Sequence, residues 1–253
     1  MKLFKKFPSE NKFYDASRNL TSIANSLETD KGNADKKTLS WGKDWPEHIC
    51  MGYTETYEKY MSSFREKPIK FFEIGICDKR FPYASCKMWM TYFKNIDLYA
   101  ADNFWGTYLV DREQEIRQLN EWGINFVYAD QGNFCDWNEI KQENINNIDF
   151  FVEDGSHWPN HMIVSLWQAK DLIKKGGYYF MEDLQNPRFT RGKFKYDNAL
   201  LTEDLLMAEH TKKLHSHFLN DQQNKDINES FELVEMVLDK QLVNYLAVFK
   251  KIK

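Results

Sequence analysis

The sequence predicts an α/β protein. A seven-stranded, mostly parallel sheet is covered by helices, closed by a C-terminal antiparallel hairpin and preceded by a helical segment. Three observations carry this. From residue 69 onward, short apolar runs alternate with stretches of helical period, the pattern of a parallel sheet flanked on both faces by right-handed crossovers. Strand after strand ends in an acid. Near the end, residues 230–237 and 242–250 are two apolar runs joined through Leu238-Asp239-Lys240-Gln241, which reads as a hairpin.

The chain has 253 residues, enough for one such domain with embellishments and an ample core. Its net charge of -4 implies no broad basic face, which argues against nucleic acid as a partner. Cys50, Cys77, Cys86 and Cys135 are scattered with no CxxC spacing. Neither a zinc cluster nor a disulfide framework is indicated, and a reducing compartment is the simpler reading. The apolar part of Met1-Lys2-Leu3-Phe4-Lys5-Lys6-Phe7-Pro8 is too short for a signal peptide, and no apolar run approaches a membrane span. A soluble, cytoplasmic protein is expected. Aromatic residues reach 16%; that suits a sugar-stacking surface but is more often a large aromatic core.

Residues 19–27 space their apolar groups at helical period, and Thr29-Asp30-Lys31-Gly32 is turn-like. Residues 33–46, polar with Trp41 and Trp45, read as a loop. Residues 53–64 resume the helical period and put Tyr53, Tyr57, Tyr60 and Phe64 on one face, read as core packing. Pro68 ends that helix. Strand one, residues 69–76, closes on Glu73-Ile74-Gly75-Ile76. An acid two places before a glycine opens a nucleotide-binding βα unit, a weak signal here because the full Gly-x-Gly-x-x-Gly is missing. Residues 77–83 make the following loop longer and less glycine-rich than usual.

A helix at 85–93 leads to strand two, 97–102, whose Asp102 stands where such folds accept hydrogen bonds from a ribose diol. A helix at 112–122 precedes strand three, 123–132, with the polar end Asp130-Gln131-Gly132. After a short helix at 137–144, strand four, 148–153, runs into Glu153-Asp154-Gly155-Ser156-His157. A helix at 160–174 and a turn at Gly176-Gly177 lead to strand five, 178–181, which ends in Glu182-Asp183. Residues 186–193 are basic and turn-rich and follow the acidic pair, positioned to cover a site. A helix over 200–217 and a polar loop over 220–228 precede the hairpin.

Ligands of open parallel sheets sit at the carboxyl ends of the strands, where this order collects Glu73, Asp102, Asp130, Asp154, Glu182 and Asp183. If strands four and five are neighbours, Asp154, Glu182 and Asp183 meet. Like charges about 4 Å apart repel by roughly 4 kcal/mol at an effective dielectric of about 20. Either a proton is shared or a cation lies between them, and Mg²⁺ or Mn²⁺ takes oxygen ligands of this kind. His157 then stands within reach as a base. Each residue also has an ordinary reading: His157 as a helix cap or partner of Asp154, and the three acids as caps and ion pairs. His161 divides between packing and substrate contact, and Arg188 and Arg191 between solvated charge and phosphate binding.

With those residues placed, the chain resembles a Rossmann-like class I S-adenosylmethionine-dependent methyltransferase, within it the macrocin O-methyltransferase group of metal-dependent sugar methyltransferases. The likeness runs from Thr29-Asp30-Lys31-Gly32 to about Pro187. It rests on Glu73-Ile74-Gly75-Ile76, Lys87-Met88-Trp89, Ala129-Asp130-Gln131, Glu153-Asp154-Gly155-Ser156-His157 with His161-Met162-Ile163, and Glu182-Asp183-Leu184. The resemblance implies a helical preface and lid at residues 1–66 and an S-adenosylmethionine-binding domain at 67–253. It implies Asp154, Glu182 and Asp183 as ligands of Mg²⁺ or Mn²⁺, His157 as the catalytic base, and Glu73, Gly75, Asp102, Asp130, Gln131 and Asp154 around the cofactor. His161, Arg188 and Arg191 would face the substrate.

The chain departs from the group in its charged insertion at residues 77–83 and in the extra residues between His48 and Tyr53. The expected acceptor is a sugar hydroxyl, favoured on a nucleotide-activated heptose or hexose for surface polysaccharide. Alternatives are a glycosylated natural product, a small catechol-like diol, or a non-catalytic cofactor-binding regulatory or scaffold protein. A homo-oligomer is the expected assembly.

Overall fold

The computed structural model describes residues 11–33, 52–76, 83–104, 112–143, 145–184, 193–239 and 244–253. Two helices come first, α1 (Leu20–Ser26) and α2 (Tyr53–Met61), the second continued by a 3-10 turn at Ser62–Phe64. The sheet is then laid down as β1 (Pro68–Ile74), β2 (Asn95–Asp102), β3 (Asn125–Tyr128), β4 (Ile148–Glu153) and β5 (Ile173–Met181). Between these strands lie α3 (Ala84–Tyr92), α4 (Arg112–Trp122), α5 (Phe134–Gln142) and α6 (Pro159–Ala169). Two helices, α7 (Lys193–Thr211) and α8 (Asp221–Ser230), precede the hairpin β6 (Phe231–Asp239) and β7 (Asn244–Lys251). Seven strands form one sheet in the order β3-β2-β1-β4-β5-β7-β6. The first five pair in parallel, and β7 runs antiparallel to both β5 and β6. The strand order reverses direction between β1 and β4, and such a switch point opens a crevice outside the carboxyl ends.

Alternate residues of each strand feed opposite faces. Phe71, Leu98, Ala100, Phe150, Val152 and Phe180 join one core cluster, which also takes Leu20, Ile23, Tyr53, Tyr57 and Met61 from α1 and α2. Phe72, Ala101, Phe151, Tyr179 and Met181 join the other, under α5, α6, α7 and α8. The aromatic content is therefore largely core: Trp89 and Trp137 are buried on the two faces, and Phe72, Phe151 and Tyr179 stack across three neighbouring strands.

Several boundaries differ from the sequence reading. The polar stretch expected to be a loop at 220–228 is α8, held by a reciprocal capping box between Asn220 and Gln223, with Asn224 and Ile227 buried. The helix expected over 200–217 runs from Lys193 to Thr211. The Gly176-Gly177 pair lies inside β5, not in a turn before it. Gly176 has φ of +85° where the pairing with β4 shifts register, and a Cβ on Gly177 would lie 2.8 Å from the carbonyl oxygen of Ile148. The loop at 33–46, His48, the insertion at 77–82, Arg188 and Arg191 fall outside the described residues, apart from Asn33. Among the described residues no helix is long and apolar enough to cross a membrane.

Candidate active site

The exits of β1 and β4 cross in backbone contact. Gly75 has φ of +83°, and a Cβ there would lie 1.9 Å from the carbonyl oxygen of Asp154, so only glycine fits. The ladder continues one residue past the strands: the N–H of Asp154 donates to Ile74 (3.0 Å) and that of Glu182 to Glu153 (3.0 Å). This brings Asp154, Glu182 and Asp183 to one edge. His157 and Asp183 both take φ of +55°, a conformation that costs a residue with a Cβ and that clusters at functional sites.

Of the three acids, two face His157. Its Nε2 lies 3.7 Å from Asp154 Oδ1 and 3.7 Å from Asp183 Oδ2. Ligand atoms of Asp154, His157 and Asp183 all lie within 4.8 Å of one another. His157 Nδ1 is buried with no hydrogen-bond partner. The two carboxylates are oxygen donors of the kind that Mg²⁺ or Mn²⁺ takes, with the imidazole beside them. Tyr53 donates its hydroxyl to Asp183 Oδ1 (2.7 Å) and accepts the Asp183 N–H (3.1 Å), which fixes the left-handed turn.

Glu182 faces the other way, into the helical preface. Its Oε2 meets Lys31 Nζ at 2.5 Å, and its Oε1 accepts from the Tyr57 hydroxyl. Lys31 Nζ also lies 2.6 Å from Asp154 Oδ2 and 3.8 Å from Glu73 Oε1. Burial alone would push the Lys31 ammonium down, but Asp154, Glu182 and Glu73 outweigh it and hold the group charged, well above the ordinary lysine range.

The neighbouring half of the edge is built differently. Asp102 accepts from the N–H of Ile76 (2.9 Å) and of Phe104 (2.5 Å), so it shapes the loops after β1 and β2. Asp130 accepts from Asn103 Nδ2 (3.0 Å) and the Gly132 N–H (2.8 Å). Gln131 is buried with its amide engaged within the protein: Nε2 donates to Glu153 Oε1 (2.5 Å) and Ser165 Oγ (3.0 Å), and Oε1 accepts from the Ser156 N–H (2.8 Å). Glu73 is fully buried and accepts from Trp89 Nε1 (3.0 Å). Burial pushes its carboxyl up to about 7 against the opposing pull of Lys31. His161 shares Nδ1 with Ser156 Oγ (2.9 Å) and stacks on Trp158, ring centroids 5.6 Å apart. Burial holds its pKa down, opposed by Asp130.

Sequence reasoning missed Lys31, the hydroxyls of Tyr53 and Tyr57, and Glu153. Lys31 was legible only as part of a turn. Tyr53 and Tyr57 do pack as expected, Tyr57 edge-on to Trp89 and Phe180, yet their hydroxyls reach the acidic pair as well. Glu153 is a buried strand residue whose carboxyl burial pushes up to about 7.

No protein-family model matches the chain. It is 28% identical over 168 residues to the 8-demethyl-8-alpha-L-rhamnosyl tetracenomycin-C 2'-O-methyltransferase of Streptomyces olivaceus, a match covering 65% of this chain and 41% of that protein. It is 23% identical over 135 residues to the mycinamicin VI 2''-O-methyltransferase of Micromonospora griseorubida, covering 52% and 31%. The matched stretch thus spans less than half of either relative. Among solved structures, the MycE methyltransferase of the mycinamycin biosynthetic pathway, in complex with Mg, SAH and mycinamycin VI, superposes with a TM-score of 0.59 at 18% identity, covering 93% of this chain and 55% of that one. That likeness speaks for the fold. By fold the chain is similar to this S-adenosylmethionine-dependent methyltransferase, and by sequence it is similar to sugar O-methyltransferases that include the demethylmacrocin O-methyltransferase of Streptomyces fradiae.

Proposed function

We propose that this chain carries the methyl group of S-adenosylmethionine to a sugar hydroxyl with the help of Mg²⁺ or Mn²⁺. One observation carries the reading: Asp154, His157 and Asp183 converge at the carboxyl edge of β4 and β5, beside the switch point where Gly75 and Asp154 touch. The relatives act on sugars of glycosylated natural products, by their names, and the MycE crystals held Mg and SAH. When bound, the divalent ion would make a hydroxyl acidic enough to ionise near neutral pH, and the cofactor would supply a methyl group already activated on sulfur.

The chain's own residues divide the remaining work. Asp154 and Asp183 would hold the ion, with Glu182 behind them in the pocket it shares with Lys31. His157 Nε2 would take the proton of the acceptor hydroxyl, a step worth typically ~10²–10⁴-fold. Asp154 Oδ1 and Asp183 Oδ2, each 3.7 Å from that nitrogen, would stabilise the imidazolium so formed. Asp102, already oriented by two backbone amides, would accept from the cofactor's ribose, with Gly75, Asp130 and the buried Glu73 and Gln131 shaping the surrounding wall. The preface, residues 1–66, would act as the lid through Lys31, Tyr53 and Tyr57.

For the acceptor, the relatives favour a sugar on a finished natural product. The other candidate acceptor is a nucleotide-activated heptose or hexose, whose phosphates Arg188 and Arg191 would bind. His161, stacked on the exposed Trp158, would contact the acceptor.

The test is a panel of both acceptor classes incubated with S-adenosylmethionine, with and without EDTA, read by mass for the gain of one CH₂. Transfer to one class, lost with EDTA and restored by Mg²⁺, is the expected result. Transfer indifferent to EDTA and to Asp154→Ala would sink the metal-assisted mechanism.

A further inference from the structure

Lys31 is an ammonium group with 1% of its side chain exposed, set among Asp154, Glu182 and Glu73. Beyond its place in the preface, neither the resemblance nor the transfer chemistry gives it a role at the ion. A buried cation without water needs paired carboxylates, and buried carboxylates without a cation repel. The placement is built into the backbone. The Lys31 carbonyl accepts from the Thr54 N–H (3.1 Å), and the Gly32 carbonyl from the Gly52 N–H (2.9 Å), so the turn is fastened to the start of α2. The ammonium reaches Asp154 Oδ2, the second oxygen of the same carboxylate whose Oδ1 faces His157 and Asp183. A divalent ion and Lys31 therefore draw on one carboxylate, and on a second through Glu182 beside Asp183.

We propose that Lys31 is a resident counter-ion of this pocket: it holds Asp154 and Glu182 together before a divalent ion arrives, and it sets how weakly that ion binds. It is a positioning residue, acting on substrate only through the carboxylates. The inference rests on the divalent-ion reading above. Its consequence runs against the usual effect of damaging a site, because removing a buried positive charge next to a cation site strengthens the attraction of the remaining acids for the cation.

The experiment is Mn²⁺ binding to the full chain, read from the electron paramagnetic resonance signal of free Mn²⁺ with no cofactor or acceptor present. Lys31→Met is expected to bind Mn²⁺ about tenfold more tightly, or better, than the wild type. Its melting temperature is expected to be lower without the ion and to rise further on adding it. Lys31→Arg, which keeps the charge, stays at the wild-type affinity. If Lys31→Met does not fold, Lys31→Gln gives the same reading with a side chain that can still hydrogen-bond both carboxylates. Equal or weaker binding by the neutral variant, with a wild type that binds, overturns the counter-ion role and leaves the proposed function standing. Absence of Mn²⁺ binding in every variant removes the metal reading itself, and this inference with it.

Discussion

The two halves of the strand edge hold their acids by different means. On the β1–β2–β3 side, Asp102 and Asp130 are held by three backbone N–H groups and one side-chain amide, two residues away in two of the four bonds and 26 and 27 residues away in the others. On the β4–β5 side, Asp154, Glu182 and Asp183 are held by Lys31, Tyr57 and Tyr53, between 123 and 151 residues away. The first half is shaped by turns beside each acid and by bonds between neighbouring strand exits. The second exists only once the preface has docked, which makes its charge balance a property of the whole tertiary structure. Local hydrogen bonds can shape a loop for a ligand, but concentrating carboxylates beyond what backbone amides can neutralise takes a charged side chain from elsewhere or a metal ion.

The largest expected effect separates the halves by function. Asp183→Asn keeps the shape of the side chain and its link to Tyr53 but removes a charge from the donor set proposed for the ion. Methyl transfer should fall about 10²–10³-fold in single-turnover rate, the scale of several kcal/mol of lost electrostatic stabilisation. Binding of S-adenosylmethionine by calorimetry should stay near the wild-type value, since the half proposed to hold the cofactor is untouched. Loss of both together would merge the halves into one unit.

Gly75→Ala attacks their junction instead. The backbone conformation alone costs a residue with a Cβ about 1–3 kcal/mol, and the added carbon would sit 1.9 Å from a backbone oxygen of Asp154. Denaturant unfolding should show a loss of about 3 kcal/mol or more, with both cofactor and Mn²⁺ binding impaired. A variant of wild-type stability would mean that the β1 and β4 exits do not cross in contact.

What the sequence made legible follows the same division. The strands ending at Asp102, Tyr128, Glu153 and Met181 could be read because each is an apolar run that closes on or just before an acid, a pattern contained within a few positions. The hairpin was legible for the same reason. Asp154, His157 and Asp183 were legible as types of group in a plausible place, although which of them face one another depends on two left-handed residues that carry no glycine signal. The partners of Glu182 were not legible at all. Nothing near Lys31 distinguishes it from the many solvated lysines of the chain, since the acids that hold it are distant in sequence. The helix Asp221–Ser230 was misread because its polarity outweighed its capping box, whose Asn220 and Gln223 are three residues apart and visible in the sequence.

A pH effect sharpens the electrostatic side of the comparison. Glu73 lies between the halves, its carboxyl raised by burial from the ordinary 4.5 to about 7. A group of this sign keeps its proton in the folded chain while the unfolded chain has already lost it. Stability therefore falls as pH rises from about 5 to about 7, then levels above the folded pKa, with a contribution of at most about 3 kcal/mol from this residue. In metal-free protein, Glu73→Gln should flatten that slope without abolishing it, because Glu153 is raised to about 7 for the same reason. Urea unfolding at a series of pH values reads the difference. An unchanged slope would mean that Lys31 keeps Glu73 ionised throughout.

The smallest effect comes from a second lysine of the same preface, and it isolates what burial does. Lys59 Nζ meets Glu235 Oε2 at 2.8 Å, close to the distance at which Lys31 meets Asp154, but the Lys59 side chain is 59% exposed where that of Lys31 is 1% exposed. An exposed pair is screened by water and salt, and its members lose little when separated. The Tyr60 hydroxyl also donates to Glu235 Oε2 (2.6 Å), so the carboxylate keeps a partner when the lysine goes. Lys59→Ala should cost less than about 1 kcal/mol in denaturant unfolding and leave Mn²⁺ affinity unchanged. If it costs as much as neutralising Lys31, then docking of the preface onto the hairpin, and not the charge buried in the acidic pocket, is what assembles the β4–β5 half of the site.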